Sequence, residues 1–587
     1  MARPLPPGFP APSIAPPALA DKLKLALPQW CLGLEEPGLA RHLAARALLS
    51  GEGDLFACGA GLALWTWQRA PLEPERIGLL LEALAAFSPG ALPPGSLAEF
   101  LYRLKSSLEG QPDPGEVAAL LSSGNTALAV RLLVPRLRDP VRGVGWLASA
   151  WEGMLRLGSP DLCAAALSAC PWPEPLLPLR ARLAAELSFH FDAPETALLA
   201  LDEVDAEVDA GVDAGAGEPL FGAWSAYLRA ELLLRLGDPA SCEAGRGLLA
   251  GLFAALPWHT HLGLKLHALS FPPPVAPPAA AADAAILLYS WNKAELVRQT
   301  LTSLARTDIA GARIWALDNG STDGTGNGDG TGEVMEQCKA LFPPGVLTVV
   351  RLPVNIGAPA ARNWLLSLPE VRKRAWAVFL DDDVLLPQRW LLRLLGAGLA
   401  DEKAGAVGCR IVSASAPVCL QSADYQLFPP GNGPRSFADR PDLVNVFDNC
   451  AGGLDLGLFC YARPAAHVSG CCHALRTSVL AELGGFDIAF SPTQFDDLER
   501  DLRSAVAGRG AVYCGDVAVA HVQHSSLAKA KGPAAIGQVM GNKLKLEGRF
   551  SPADMEAVSA AGLAALWADL LGKWTQLSTP GRERPKG

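Results

Sequence analysis

From about residue 21 to residue 270, apolar positions recur with helical spacing, and few segments alternate with period two. In ERIGLLLEALAAF, Ile77, Leu80, Leu81, Leu84 and Phe87 fall on one helical face. The region is expected to be all helical. It also repeats. SSGNTALAV, RLGSPDLCAA, HFDAPETALLA and RLGDPASCEA each break one helix and open the next. Gly124 to Gly158 spans 34 residues, Gly158 to Asp192 another 34, and Asp192 to Gly237 spans 45. The longer interval holds the acidic insert DEVDAEVDAGVDAGAGEP, residues 202–219, which reads as a solvated loop.

A helix–turn–helix period of 34 residues resembles tetratricopeptide repeats, more in spacing than in side-chain signature. Such units stack because one helix pair cannot bury its own apolar face. The competing arrangement is a helical bundle without repeats. Ahead of this region, residues 1–20 read as a disordered Pro-rich leader. After it, FPPPVAPPAAAAD, residues 271–283, forms a Pro/Ala linker whose composition argues against regular helix. The pattern then changes. AAILLYSW, ARIWALD, LTVVRL and AWAVFLD are short apolar runs, each followed by loop and helix signals. Strands alternating with helices imply an α/β sheet, here over residues 284–525. Residues 526–587 are expected to form a helical extension, with a helix from Pro552 to Trp574, and a polar tail.

Composition narrows the function. The 587 residues carry 50 Lys and Arg against 60 Asp and Glu, a net charge of −10. Nucleic acid is therefore not an expected partner, since phosphate binding needs a basic face. Thirteen scattered cysteines, an odd number, do not form a disulfide frame. The longest uncharged stretch, Gly247 to Leu264, contains Pro257, His259 and His261 and reads as buried helix and loop. No transmembrane span and no signal peptide are expected. The expected location is the cytoplasm, free or peripheral to a membrane.

Four segments of the second domain carry chemistry. In ARIWALDNGSTDGTG a strand ends at Asp318, and Asn319 to Asp323 form a tight loop. Ligands of open α/β sheets sit at the carboxyl ends of strands, where a carboxylate can accept hydrogen bonds from a nucleoside. NIGAPAARNW opens a helix with Asn355 and Gly357, and its Arg362 can reach an anionic group. AWAVFLDDDVLLP runs a buried strand into Asp381, Asp382 and Asp383. In extended backbone Asp381 and Asp383 share a face while Asp382 points away. Two hard oxygen ligands there suit Mg2+ or Mn2+. Last, GGFD, QFDDLERDLRSAVAGRG and VAVAHVQHSS place Asp496, Asp497, Glu499 and Asp501 at a helix start. Some of these carboxylates serve the helix dipole, and one can act as a base toward an acceptor hydroxyl. His521 ends a later strand as a candidate metal ligand. Cys450, Cys460, Cys471, Cys472 and His473 lack the paired spacing of a zinc knuckle and read as buried free thiols. Trp291, Trp364, Trp376 and Trp390 read as core rather than sugar platforms.

Taken in order, YSWNKAELVRQTLTSL, DNGSTDGT, NIGAPAARN, FLDDDV, SGCCHALRTSVLAELGGFD, FDDLERDL and AVAHVQHSS resemble a family-2 glycosyltransferase domain of the GT-A fold. The chain is thus expected to be multidomain: an all-α repeat domain, the α/β GT-A (Rossmann-like) domain that the resemblance implies, and a short helical extension. It implies an inverting glycosyltransferase that moves a hexosyl-type sugar from a nucleotide-diphosphate sugar, in glycan biosynthesis. The family's nucleotide-sugar contacts fall on Asn292, Asp318, Asn319, Asn355, Gly357, Arg362, Asp381 and Asp382. Its DXD metal motif falls on Asp381 and Asp383, with Mn2+ or Mg2+ implied. Its catalytic Glu-Asp pair falls on Asp496 and Asp497, with Asp497 as the base. The first of that pair departs from the usual Glu, and a later family Asp is here Glu499. The family's late His falls on His521, with His524 as rival. A UDP-sugar is favoured as donor, with GDP or dTDP as options. The acceptor is a glycan, a lipid-linked glycan or a protein, and the repeats are expected to hold an acceptor or a protein partner. A non-enzymatic scaffold with a retired nucleotide-sugar fold is the alternative. A nucleotidyltransferase ranks below it, because YSWNKAEL offers only Lys293 for a triphosphate.

Overall fold

The structure is a computed structural model that describes residues 5–6, 9–87, 96–109, 112–121, 126–210, 220–324, 329–431, 442–522 and 532–579. It divides into two compact units. Met1–Leu269 makes the first, grouped with Ser415–Pro417 and Trp574–Gly581. The second is Ser270–Ala414 with Val418–Lys573.

The first unit is helical. From residue 126 its helices come in consecutive pairs: Thr126–Leu137 with Gly143–Arg156, Pro160–Ala169 with Leu177–Phe191, Pro194–Ala210 with Gly222–Leu236, and Pro239–Ala255 with Thr260–Ser270. First helices open at Thr126, Pro160, Pro194 and Pro239, intervals of 34, 34 and 45 residues. The cause is local. Pro160 and Pro239 occupy the first helical turn behind Ser159 and Asp238, whose side chains accept from free amides of that turn. Ser159→Ala is expected to cost about 1 kcal/mol of stability, measured by urea denaturation of the full chain. The first helix of the chain, Pro16–Ala26, starts inside the stretch expected to be leader. Of the acidic insert, residues 211–219 lie outside the described residues, as does Gly124.

The second unit is built on a mixed α/β sheet of the GT-A type. Its strands are β1 (Ala284–Ser290), β2 (Arg313–Asp318), β3 (Leu347–Arg351), β4 (Trp376–Leu380), β5 (Val384–Leu385), β6 (Ala406–Ser413), β7 (Leu420–Ser422), β8 (Tyr425–Leu427), β9 (Val446–Asp448), β10 (Ala462–Ala465), β11 (Cys472–Arg476) and β12 (Ala511–His521). The main sheet runs β10-β12-β6-β11-β4-β1-β2-β3; β5 pairs with β12, and β7 with β6. Strands β3, β2, β1 and β4 are parallel. All of β4 is buried, as is β1 apart from a partly exposed Tyr289, so these strands read as apolar runs rather than alternations. The chain leaves β1 toward β2 and β3 on one side and reaches β4 on the other. That reversal opens a crevice at the carboxyl ends of β1 and β4.

Two expectations are corrected here. The linker composition does not prevent a short helix, since Pro278–Ala282 is helical behind Pro277. No spanning segment was expected, yet the helix Pro552–Ser578 is 27 residues long with a mean hydropathy of 1.3 over its most apolar 18-residue window. By length and composition it can cross a membrane. The helix runs four residues past its expected end at Trp574, and its charged residues are few enough to leave a long apolar window.

Candidate active site

The crevice collects residues from four strand ends. Ser290 ends β1, Asp381–Asp383 follow β4, Cys471 precedes β11, and His521 ends β12. Strand β11 inserts antiparallel to β4 with Cys472 opposite Leu380, and the Asp381 amide donates to the Cys471 carbonyl at 3.0 Å. Strand β5 pairs His521 with Val384, which brings the imidazole to Asp383.

The three adjacent aspartates do not alternate as extended backbone would. The chain turns at Asp381–Asp383, so period-two reasoning fails there. Asp381 is half-buried, with Oδ2 3.0 Å from Cys471 Sγ. Asp382 does not point away. It is buried, accepting from Ser290 Oγ at 2.5 Å and from Lys293 Nζ at 2.8 Å. Asp383 is buried between His521 Nε2 at 2.9 Å and Lys293 Nζ at 3.6 Å. Burial pushes the Asp382 carboxyl up, with the Lys293 charge opposing. Against its own burial, His521 is raised by its hydrogen bond to Asp383.

One donor atom each from Asp381, Cys471 and His521 lie within 4.8 Å of one another. The expected metal pair Asp381 and Asp383 thus gains neighbours: Cys471 lies on Asp381 and His521 on Asp383. Close donor pairs such as Asp381–Cys471 and Asp383–His521 share a proton, and a divalent cation would replace those protons. A set of carboxylates, an imidazole and a thiol fits such an ion. The reading of Cys471 as merely a buried thiol came from its spacing to other cysteines. Its true partners stand 90 positions before and 50 positions after it, and no local pattern signals them.

The helix Asp496–Val506 supplies the remaining carboxylates, and each has a different partner. Two consecutive left-handed residues, Gln494 and Phe495, turn the chain into its first turn. Such backbone is costly and persists where surroundings fix it. Asp496 is buried on Arg362 Nη1 at 2.6 Å. Burial raises its carboxyl and Arg362 opposes. Arg362 is itself buried, ringed by Tyr289, Phe379 and Phe486, so the anion it reaches is Asp496. Asp497 is half-buried and accepts from the Gly470 and Leu498 amides, both at 2.9 Å. Against its burial, the charges of His467 and Arg362 hold it below the usual carboxylate range. A Cβ on Gly470 would stand 2.6 Å from Asp497 Oδ2, so only glycine allows this approach. Glu499 is tied to Arg503 at 3.0 Å and Arg549 at 3.2 Å. Asp501 bridges two imidazoles, His467 Nδ1 at 2.8 Å and His473 Nε2 at 2.9 Å. Neither the His467 contact nor Lys293's part in the carboxylate cluster is among the expectations from sequence, since both partners lie far along the chain.

The residues expected to contact the nucleotide hold the crevice wall together. Asn292, left-handed, accepts from the Thr322 amide at 2.7 Å. Asp318 accepts from the Ser321 amide at 3.0 Å. Asn319 donates to Asn355 Oδ1 at 3.0 Å and accepts from the Ile356 amide at 3.1 Å. The Gly357 amide donates to Asn355 Oδ1 at 2.9 Å. Together these bonds join the loops after β1, β2 and β3 at one end of the sheet. Trp376 and Trp390 are core, as expected, but Trp291 and Trp364 are about half exposed. His524 lies outside the described residues.

The sheet thus carries a carboxylate loop after β4 and an acidic helix start in the same unit. Residues 281–531 match the family model described as "Glycosyltransferase like family 2" and are a glycosyltransferase family 2 domain. No curated protein matches the chain. Similar solved structures include GalNAc-T7 with UDP, GalNAc and Mn2+, at 12% identity and a TM-score of 0.33; the match covers 43% of this chain and 45% of that one. The mannosyltransferase PcManGT from Pyrobaculum calidifontis, in complex with GDP-Man and Mn2+, is 20% identical with a TM-score of 0.30, over 60% of this chain and 92% of that one. S. aureus TarS 1-349 is 15% identical with a TM-score of 0.30, over 50% and 80%.

Proposed function

We propose that the second unit transfers a sugar, with inversion, from a nucleotide-diphosphate sugar to an acceptor hydroxyl. The observation that carries this is one backbone segment, Gly470–Cys471. On one side its amide orients the half-buried Asp497. On the other its carbonyl and thiol meet Asp381 in the donor cluster. A base and a site for a cation therefore face the same crevice.

Asp497 takes the acceptor proton at a carboxylate oxygen. It is the carboxylate suited to this, because Asp496 is buried on Arg362 and Asp501 on two imidazoles. Arg362 and Asp496 position the helix start. Asp381, Asp383 and His521 would hold the cation, which when bound neutralises charge on the departing diphosphate. The wall formed by Asn292, Asp318, Asn319 and Asn355 would shape the nucleoside pocket. Helix pairs at 34-residue intervals fit stacked repeats of the tetratricopeptide kind, which present surfaces for a partner or an acceptor.

Calorimetric titration of the full chain with UDP, GDP and dTDP, with and without Mn2+, tests the reading. Metal-dependent binding of one nucleotide is expected. Asp381→Ala is expected to weaken it about 10-fold or more. Asp381 is the residue to change, since Asp383→Ala would also strand His521 and Lys293. Binding of none of UDP, GDP and dTDP, or binding indifferent to both metal and Asp381, would sink the proposal and favour the scaffold. Proton NMR of the product's anomeric centre tests inversion separately.

A further inference from the structure

The donor cluster contains one atom that neither the aspartate motif nor the late histidine supplies. Cys471 Sγ lies 3.0 Å from Asp381 Oδ2, and the thiol is buried. Backbone geometry fixes this meeting, because the Asp381 amide is bonded to the Cys471 carbonyl at 3.0 Å. The next residue, Cys472, is fully buried on the other face of β11, against Cys409. Of two adjacent cysteines, one therefore belongs to the core and one to the site.

His521 is arranged to match. Its Nδ1 lies 2.7 Å from Gln421 Oε1 and its Nε2 lies 2.9 Å from Asp383 Oδ1. A side-chain oxygen on the remaining nitrogen is the usual support of a metal-bound imidazole, fixing tautomer and ring orientation. The cluster thus offers oxygen, nitrogen and sulfur within a span of 4.8 Å. Magnesium is held by oxygen and keeps several waters, whereas thiolate and imidazole together suit zinc and cobalt.

We infer that Cys471 is a thiolate ligand of the bound cation, so that the site takes a borderline ion such as Zn2+ or Co2+ in preference to Mg2+. The inference rests on the cation site proposed above. As the sulfur–metal bond forms, the S–H bond breaks and its proton leaves to solvent. No electron is transferred. The hydrogen bond now running from the thiol to Asp381 is replaced by two bonds to one ion.

Titration of the full chain with Co2+, followed by absorption spectroscopy, tests this. The wild type is expected to show the near-ultraviolet charge-transfer band of a cobalt–thiolate bond, together with the visible bands of bound cobalt. Cys471→Ser is expected to lose the charge-transfer band, keep the visible bands, and bind Co2+ about 10-fold more weakly or worse. Cys471→Ala gives a second comparison of similar volume. Cys460→Ser, which removes a thiol bonded to the Gly457 carbonyl, is expected to keep the band. Zn2+ is expected to displace cobalt at near-stoichiometric amounts, and Mg2+ only in large excess. Cobalt bound without the band, or a band surviving in both Cys471 variants, overturns the thiolate ligand and leaves the cation reading intact. A wild type that binds no Co2+ overturns both.

Discussion

Asp497→Asn is expected to lower turnover by about 10²–10⁴-fold, the range that general-base assistance supplies. Asparagine keeps a carbonyl oxygen for the Gly470 amide, so the helix start stays in place. What it loses is the ability to take a proton. Nucleotide affinity by calorimetry should therefore change by no more than about twofold, since the effect lies in the transition state and not in donor binding. The pH profile separates the base from a merely structural carboxylate. Burial opposes ionisation of Asp497, but the charges of His467 and Arg362 outweigh it and hold the carboxyl below its ordinary value. It is fully ionised above about pH 5, given an ordinary aspartate near 3.9. As the proposed base, Asp497 is therefore expected to impose no acid limb between about pH 5 and pH 7. A variant with near-normal turnover, or one whose whole loss lies in nucleotide affinity, would refute the assignment.

Asp501→Asn is expected to destabilise the fold by about 3–5 kcal/mol, because it removes one partner of a buried charge pair. His467 and His473 both address this carboxylate, and none of the three is more than slightly exposed. The dependence on pH follows from the directions of the shifts. Asp501 is held well below the ordinary range by the charge of His473 and the hydrogen bonds from both imidazoles, against its burial. Its contribution is present above the unfolded value, about 3.9, and is lost as pH falls through the folded one. His467 is raised by its hydrogen bond to Asp501 and the nearby charge of Asp497, again against burial. Its contribution is present below about 6.5 and fades as pH rises through the folded value. Urea denaturation of wild type and variant should show the largest gap between about pH 4 and pH 6.5. A gap that does not vary with pH would mean that the cluster holds no charge pair.

Much of this arrangement could be read from sequence because its signals are local. The four apolar runs that became β1 to β4 are short, continuous and bounded by turn residues. The helix starts at Pro160, Pro194 and Pro239 announce themselves by proline behind a small or capping residue. Asp381, Asp497 and His521 stood out because each lies at the end of a strand or the start of a helix. What the sequence concealed was partnership. Nothing near Arg362 says that its anion is Asp496, 134 positions later. Nothing near Asp382 says that a turn, not an extended strand, carries it inward to Ser290 and Lys293. Cys471 sat among other cysteines and was judged by their spacing, whereas tertiary structure pairs it with an aspartate. The helix at Pro552–Ser578 does not stand out in the sequence as a spanning candidate because charged residues interrupt it, whereas Gly247–Leu264 has none.

The position of β11 has a consequence for how the chain reaches its folded state. It is the sheet's middle strand, flanked by β4 and β6, yet among the last to emerge in sequence. Cys472 pairs with Leu380, 92 positions earlier. At about 5–20 residues per second, translation leaves β4 with an unpaired edge for about 5–20 s. During that time β1, β2, β3 and β4 can assemble as a parallel half-sheet. Its open side is an apolar strand with bare amides and carbonyls, the kind of edge that recruits foreign strands. The same event that covers this edge delivers Cys471 to Asp381. Closing the sheet and completing the donor cluster are thus one step in the life of the nascent chain.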